Sequence, residues 1–107
     1  ILLTGGMSVD PDDITPSAIR QTGAEVVSYG VPMQPGNMLM MAYLGRTMLI
    51  GVPGASLHSP NTSLDYFLPR VFAGIRITKD DIAALGEGGF CMGCKVCHFP
   101  NCTFGRR

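Results

Sequence analysis

The chain has 107 residues and a formal net charge of zero, with 8 basic side chains balanced by 8 acidic ones. That length allows one small domain, and the sequence has no basic stripe of the kind that nucleic-acid binding requires. No apolar run approaches the roughly 18 to 20 residues of a membrane-spanning helix. We therefore expect a cytoplasmic protein with neither a membrane nor a nucleic-acid partner.

The first stretch of the chain has the pattern of an anion site. Ile1–Leu3 is a short apolar run typical of a buried strand, and Gly5–Gly6 permits a tight turn with exposed N–H groups. Asp13 or Thr15 can cap a helix over residues 16–22. Because successive backbone N–H groups in such a turn form a concave nest, a phosphate or another oxyanion is the expected ligand.

Three carboxylates follow this turn, those of Asp10, Asp12 and Asp13. They would repel a bare phosphate. They are better explained by a metal ion such as Mg²⁺ beside the phosphate, or by hydrogen bonds to a polar heterocycle. The alternative is a plain strand-to-helix turn with acidic capping residues.

The centre of the chain predicts strands. Glu25–Tyr29 is rich in β-branched and aromatic residues, and glycines and prolines follow it. Met38–Leu44 and Thr47–Val52 are apolar segments on either side of Gly45-Arg46, which predicts a β-hairpin.

The second half of the chain predicts two helices. The first is interrupted by Pro69, which indicates a kink or a helix restart. Thr78–Asp81 resembles a capping sequence ahead of a short helix over residues 81–85. The apolar stripe of the first helix, at steps of three and four residues, is Leu64, Phe67, Leu68, Val71, Phe72 and Ile75.

Four blocks of the sequence resemble, in order and spacing, the molybdenum cofactor biosynthesis domain, the molybdopterin-binding fold of the MogA, MoeA and gephyrin type. The blocks are Thr4–Asp13, Gly30–Asn37, Gly51–Ser56 and Leu64–Phe72. The resemblance implies that Asp13 is the functional acid, with Asp10 beside it as a second catalytic candidate. It assigns the pterin pocket to Thr4, Gly5, Gly6, Ser8, Asp13, Pro35, Gly36, Asn37, Pro53, Gly54, Ala55 and Ser56.

The resemblance also implies an architecture. We expect an α/β protein, specifically a three-layer α/β/α sandwich with a mostly parallel sheet over residues 1–85 and the ligand at the carboxyl ends of the strands. Family domains begin with a further strand and helix, so an N-terminal part of the domain would be missing here. By the same resemblance the protein is a homo-oligomer, either a dimer or a trimer.

The implied function is the binding of molybdopterin in molybdenum cofactor biosynthesis. As an enzyme, the protein would be a molybdopterin adenylyltransferase or molybdenumtransferase. However, Asn37 stands in place of the family's lysine, Met38 in place of a proline, and Ala55-Ser56 in place of Asn-Pro. The loss of that lysine removes a charge that would neutralise phosphate or molybdate. Two alternatives are a pterin-sensing module without turnover and a domain of the competence-damage type, acting on an ADP-ribose-like pyrophosphate.

All the cysteines of the chain lie in residues 86–107, which we interpret as a glycine linker followed by a cysteine-rich tail. Cys91, Cys94, Cys97 and Cys102 are spaced so closely that their thiolates can surround one point, as a zinc ion or an iron–sulfur cluster requires. Disulfides are the competing interpretation, although cytoplasmic chains seldom form them. His98 is a secondary candidate ligand.

Overall fold

The computed structural model describes residues 1–106, in which a four-stranded sheet packs against helices. Among these residues, no helix has the combination of length and hydropathy that crossing a bilayer requires. The strands are β1 (Leu2–Leu3), β2 (Glu25–Tyr29), β3 (Met40–Leu44) and β4 (Thr47–Gly51). The α-helices are α1 (Thr15–Gln21), α2 (Ser63–Phe72) and α3 (Lys79–Ala83), and a short 3₁₀ helix covers Gly54–Leu57.

The sheet has the order β1-β4-β3-β2 and is mixed. Only β1 and β4 run parallel, whereas β4 with β3 and β3 with β2 are antiparallel. The α/β class and the hairpin are confirmed, but the expected mostly parallel sheet is wrong. The physical reason is the connection: β3 and β4 are joined by Gly45-Arg46 alone, and so short a turn can only reverse the chain.

Side chains of β3 and β4 alternate between two separate groups of buried residues, as the pleat of a strand dictates. One group contains Met40, Ala42 and Leu49 together with Ile19 of α1. The other, which lies on the opposite face of the sheet, contains Met41, Met48 and Ile50 of the strands, Phe67 of α2, Ile82 of α3, and residues of the loops.

The N-cap residues that the sequence predicts are found at one helix and not at another. Thr78 and Asp81 form a capping box at α3, which confirms the predicted capping sequence. At α1 neither predicted cap is used: Ile14 occupies the N-cap position and makes no side-chain cap bond. The Thr15 hydroxyl instead donates to the carbonyl oxygen of Gly5 at 2.7 Å, so it closes the preceding loop.

The apolar stripe of the longest helix is shorter than predicted. Phe67 is 1% exposed, but Phe72 is 81% exposed and Ile75 is 54% exposed. The helix continues through Pro69 and ends at Phe72, and the chain then turns at Gly74 with φ of 77°. Ile75 therefore lies outside the helix and off its buried face.

The cysteine-rich tail is attached to the rest of the chain at both ends. Gln34 and Phe90 form a parallel bridge, and Gly88 and Arg106 form an antiparallel one. Phe104 is 4% exposed and belongs to the same buried group as Phe67. The domain boundary at residues 85 and 86 stays a prediction.

Phe67→Ala and Phe72→Ala form a matched pair on one helix. Because Phe67 is buried, its truncation should lower the free energy of unfolding by about 3 to 5 kcal/mol. The exposed Phe72 should tolerate the same change within about 0.5 kcal/mol. Urea denaturation followed by circular dichroism measures both values, and equal losses would show that the helix is packed differently.

Candidate functional site

A cavity of about 340 Å³ lies at one edge of the sheet, where three loops meet. Because β1 and β4 are parallel neighbours, the loops that follow them leave the sheet at the same edge. The segment before β3 reaches that edge too, since β3 is antiparallel to β4. The lining residues are Gly5, Gly6, Met7, Ser8, Asp13, Gly36, Asn37, Met38, Val52, Pro53, Gly54 and Ala55.

The first lining loop is shaped by its two glycines. Gly5 and Gly6 have φ of 83° and 64°, the left-handed region that other residues rarely adopt. Thr15 closes this loop, because its N–H donates to the Gly6 carbonyl at 3.1 Å and its hydroxyl donates to that of Gly5. The Tyr29 hydroxyl donates to the carbonyl oxygen of Met7 at 2.8 Å and holds the far end of the loop against β2.

The second lining loop, which contributes residues 36–38 to the cavity, is fixed to the start of α2. The Ser63 hydroxyl donates to the Gly36 carbonyl at 2.6 Å, and the Ser63 N–H donates to that of Pro35 at 3.1 Å. Ser63 is fully buried, so both bonds are shielded from water. The Thr62 and Asp65 capping box orients this end of the helix.

The residues that line the cavity carry unpaired hydrogen-bond donors and little charge. Within residues 1–106, the N–H groups of Gly5–Ser8, Gly54 and Ala55 have no acceptor in the protein. The Ser8 hydroxyl and the Asn37 amide add side-chain donors to the lining. Asp13, which is half-buried, is the one charged residue among those that line this cavity.

Residues 1–73 match the model of a family described as "Probable molybdopterin binding domain". The chain belongs to this molybdopterin-binding domain family. All three lining loops lie inside the matched range, and the cysteine-rich tail lies beyond it. No curated protein and no solved structure was found to match the chain.

The structure brings most of the sequence-predicted pocket residues of this molybdopterin-binding domain to the cavity. Three of them lie outside its lining, Thr4, Pro35 and Ser56, and so does the second catalytic candidate, Asp10. The Asp10 carboxylate accepts a hydrogen bond from the Asp12 N–H at 3.1 Å, and Ser56 Oγ lies 3.2 Å from the hydroxyl oxygen of Thr62. The lining residues that were predicted are Gly5, Gly6, Ser8, Asp13, Gly36, Asn37, Pro53, Gly54 and Ala55.

Sequence reasoning missed the apolar side of the cavity and the residues that hold its loops. Met7, Met38 and Val52 line the cavity between the glycine segments. Ser63 and Tyr29 hold the loops in place. The available signal was position alone, since Met7 follows the glycine pair and Ser63 begins the helix after the second loop.

A second cavity, of about 600 Å³, is lined by Cys91, Cys94, Cys97 and Cys102. We call it the cysteine cleft. The cysteines are free thiols, and only Cys102 is partly shielded from solvent. In residues 1–106, no three His, Cys, Asp or Glu side chains are grouped so that they could hold a metal ion. The zinc or iron–sulfur centre, like the Mg²⁺ ion, therefore stays a prediction.

Gly36→Ala and Gly45→Ala test how tightly the second lining loop is fixed. Both glycines have positive φ, 101° and 61°. A Cβ atom at Gly36 would lie 2.5 Å from the Ser63 hydroxyl oxygen and 2.8 Å from its nitrogen, whereas one at Gly45 would meet open space.

We expect Gly45→Ala to lower the free energy of unfolding by about 1 kcal/mol, the cost of a left-handed alanine. Gly36→Ala should lower it by at least about 2 kcal/mol more, because the Ser63 contacts must also shift. Chemical denaturation of the two variants checks the difference. Equal values would contradict the tight approach of this loop to α2.

Proposed function

We propose that the glycine-lined cavity binds molybdopterin, with the pterin's phosphate on the N–H groups of Gly5–Ser8. The observation that supports this most strongly is convergence: three loops far apart in a sequence that matches the family meet around one cavity whose N–H groups lack acceptors. Clustered backbone donors of this kind suit a phosphate, because they offer partial positive charge without a cationic side chain.

The donor set also suits the other polar parts of the ligand. In the proposal the Asp13 carboxylate accepts hydrogen bonds from the N–H edge of the pterin, or shares a Mg²⁺ ion with the phosphate. Mg²⁺ is commonly held by one or two carboxylates together with substrate phosphates, so a single carboxylate is sufficient. Gly54 and Ala55 close the far side with further N–H donors, and Met7 and Val52 supply apolar contact to the ring system.

The absence of a cationic side chain from the described lining favours binding without group transfer. The family's lysine is replaced by Asn37, so backbone dipoles, with a Mg²⁺ ion where one is bound, would have to stabilise the charge that builds up during adenylyl or molybdate transfer. We therefore rank a non-catalytic pterin-binding or sensing role above the competence-damage alternative, and directly below a role in molybdenum cofactor biosynthesis.

The same proposal includes the three-layer sandwich, since α1 contributes to one buried group and α2 and α3 contribute to the other. It also includes a homo-oligomer and a cytoplasmic setting, where free thiols such as those of the tail persist.

Gly54→Leu tests whether the cavity is the binding site. A Cβ atom at Gly54 meets no protein atom within 4 Å and the residue does not have positive φ, so the variant should fold normally. The larger side chain would fill space that the ligand needs. We expect the dissociation constant for anaerobically prepared molybdopterin to rise at least about tenfold, or about 1.4 kcal/mol, measured by pterin fluorescence.

Gly86→Leu is the matched control, because Gly86 is exposed, lacks positive φ and lies outside the cavity. It should bind like the unmodified chain. Unchanged affinity of Gly54→Leu would place the ligand elsewhere. Displacement of the ligand by ADP-ribose, with tighter binding of the nucleotide, would favour the competence-damage alternative.

Asn37→Lys tests the missing charge. Returning a cation to the cavity should tighten molybdopterin binding by up to about fivefold, since an exposed ion pair contributes up to about 1 kcal/mol. The gain should shrink as salt is added, because salt screens exposed charges. Gln34→Lys adds the same charge outside the cavity and should leave affinity unchanged; equal gains from both would indicate a general charge effect.

A further inference from the structure

The cysteine cleft lies outside the family match and has no part in pterin binding as proposed. One wall is the tail, with Met92 and Phe104 among its residues, and the other is formed by Pro35 and the loop Ser59–Asn61. The polypeptide thus places four thiols, from a segment of 12 residues, on one concave surface of the folded domain.

The tail is fixed at its ends and weakly held between them. The Cys91 N–H donates to the Gln34 carbonyl at 2.7 Å, and the Gly105 N–H donates to that of Gly88 at 2.6 Å. Between Cys91 and Cys102 the described chain forms no helix or strand, and its one backbone–backbone bond joins Asn101 to His98. Cys102 packs partly against the core, while the other three thiols are exposed. Within residues 1–106 these thiols are not grouped closely enough to hold a metal ion, so binding requires them to approach one another.

Two of the sulfur atoms already accept hydrogen bonds from N–H groups. The Asn61 side-chain amide donates to Cys97 Sγ, and the Gly93 N–H donates to Cys91 Sγ at 3.5 Å. The Asn61 contact comes from outside the tail, so the body of the domain orients one of the thiols.

We propose that Cys91, Cys94, Cys97 and Cys102 together bind one thiophilic metal centre in the cysteine cleft. The first three cysteines are each separated from the next by two residues, which is the spacing of the iron–sulfur run of bacterial ferredoxins. Cys102 departs from that run, because four residues rather than three precede it. Structural zinc sites more often use two separate pairs. The spacing therefore favours an iron–sulfur cluster over a zinc ion, and either centre would use all four thiolates.

Metal binding would draw the thiols together and would add a further tie to the tail between its two anchors. It would also act next to the pterin cavity without being part of it. Pro35 lines the cysteine cleft and the adjacent Gly36 lines the glycine-lined cavity proposed to bind the pterin, so one loop borders both cavities. The centre does not depend on the proposed pterin binding, and the two can fail separately.

The test uses the full chain, purified anaerobically and divided into two samples. One receives Fe²⁺ and Fe³⁺ together with sulfide, the other receives Zn²⁺, and both are desalted before metal analysis and thiol titration. We expect one centre per chain, protection of all 4 thiols, and in the iron sample retained sulfide with broad visible absorption. Retention in the zinc sample alone, with the same protection, supports the four-thiolate centre and identifies zinc as its metal.

Cys94→Ser and His98→Asn separate the ligands from their neighbour. Cys94 is exposed, so its substitution should leave the fold intact, as circular dichroism will show. We expect Cys94→Ser to weaken metal binding at least about 100-fold. Loss of a residue that only hydrogen-bonds a metal ligand costs at most about 100-fold, so a larger loss identifies Cys94 as a ligand itself. His98→Asn should retain the metal. No retained metal, protection of only two thiols, or unchanged binding by Cys94→Ser would each overturn the proposal.

Discussion

Leu2 and Leu3 of β1 pair in parallel with Ile50 and Gly51 of β4, and the location of the candidate site depends on that register. Parallel neighbours release their following loops at the same edge of a sheet, which brings Gly5–Ser8 opposite Val52–Ala55. Open α/β sheets bind ligands at such an edge because helices and strands leave a crevice there. The antiparallel hairpin then adds the third loop from the other direction. A mixed sheet can therefore assemble the same kind of crevice as a parallel one.

Polar side-chain contacts hold two of the three loops in place. Thr15 closes the first loop, Tyr29 holds its end, and Ser63 fixes the second loop to α2. Each contact joins a side chain to a backbone carbonyl, and it leaves backbone N–H groups available at the cavity. A site built in this way presents donors in fixed positions without lysine or arginine.

The sequence predicted the elements better than their arrangement. The hairpin and the Thr78 capping box depend on neighbouring residues, so their signals lie within a few positions of one another. Strand direction depends on connections across the whole sheet, and the family resemblance gave the wrong expectation there. Most residues that line the cavity were predictable because each of the three loops has its own glycine motif. Met7 and Ser63 were not, since an apolar side chain and a helix-start serine have many ordinary roles that only packing can distinguish.

The central claim is that backbone N–H groups at the edge of the sheet bind the phosphate of a pterin. Amide chemical shifts of the ¹⁵N-labelled full chain, recorded while molybdopterin is added under anaerobic conditions, test this directly. Hydrogen bonding to an oxyanion changes the shift of the donor amide, so the largest changes should occur at Gly5–Ser8, Gly54 and Ala55. The account is contradicted if saturating ligand leaves these amides unmoved, or if the largest changes occur in the cysteine cleft.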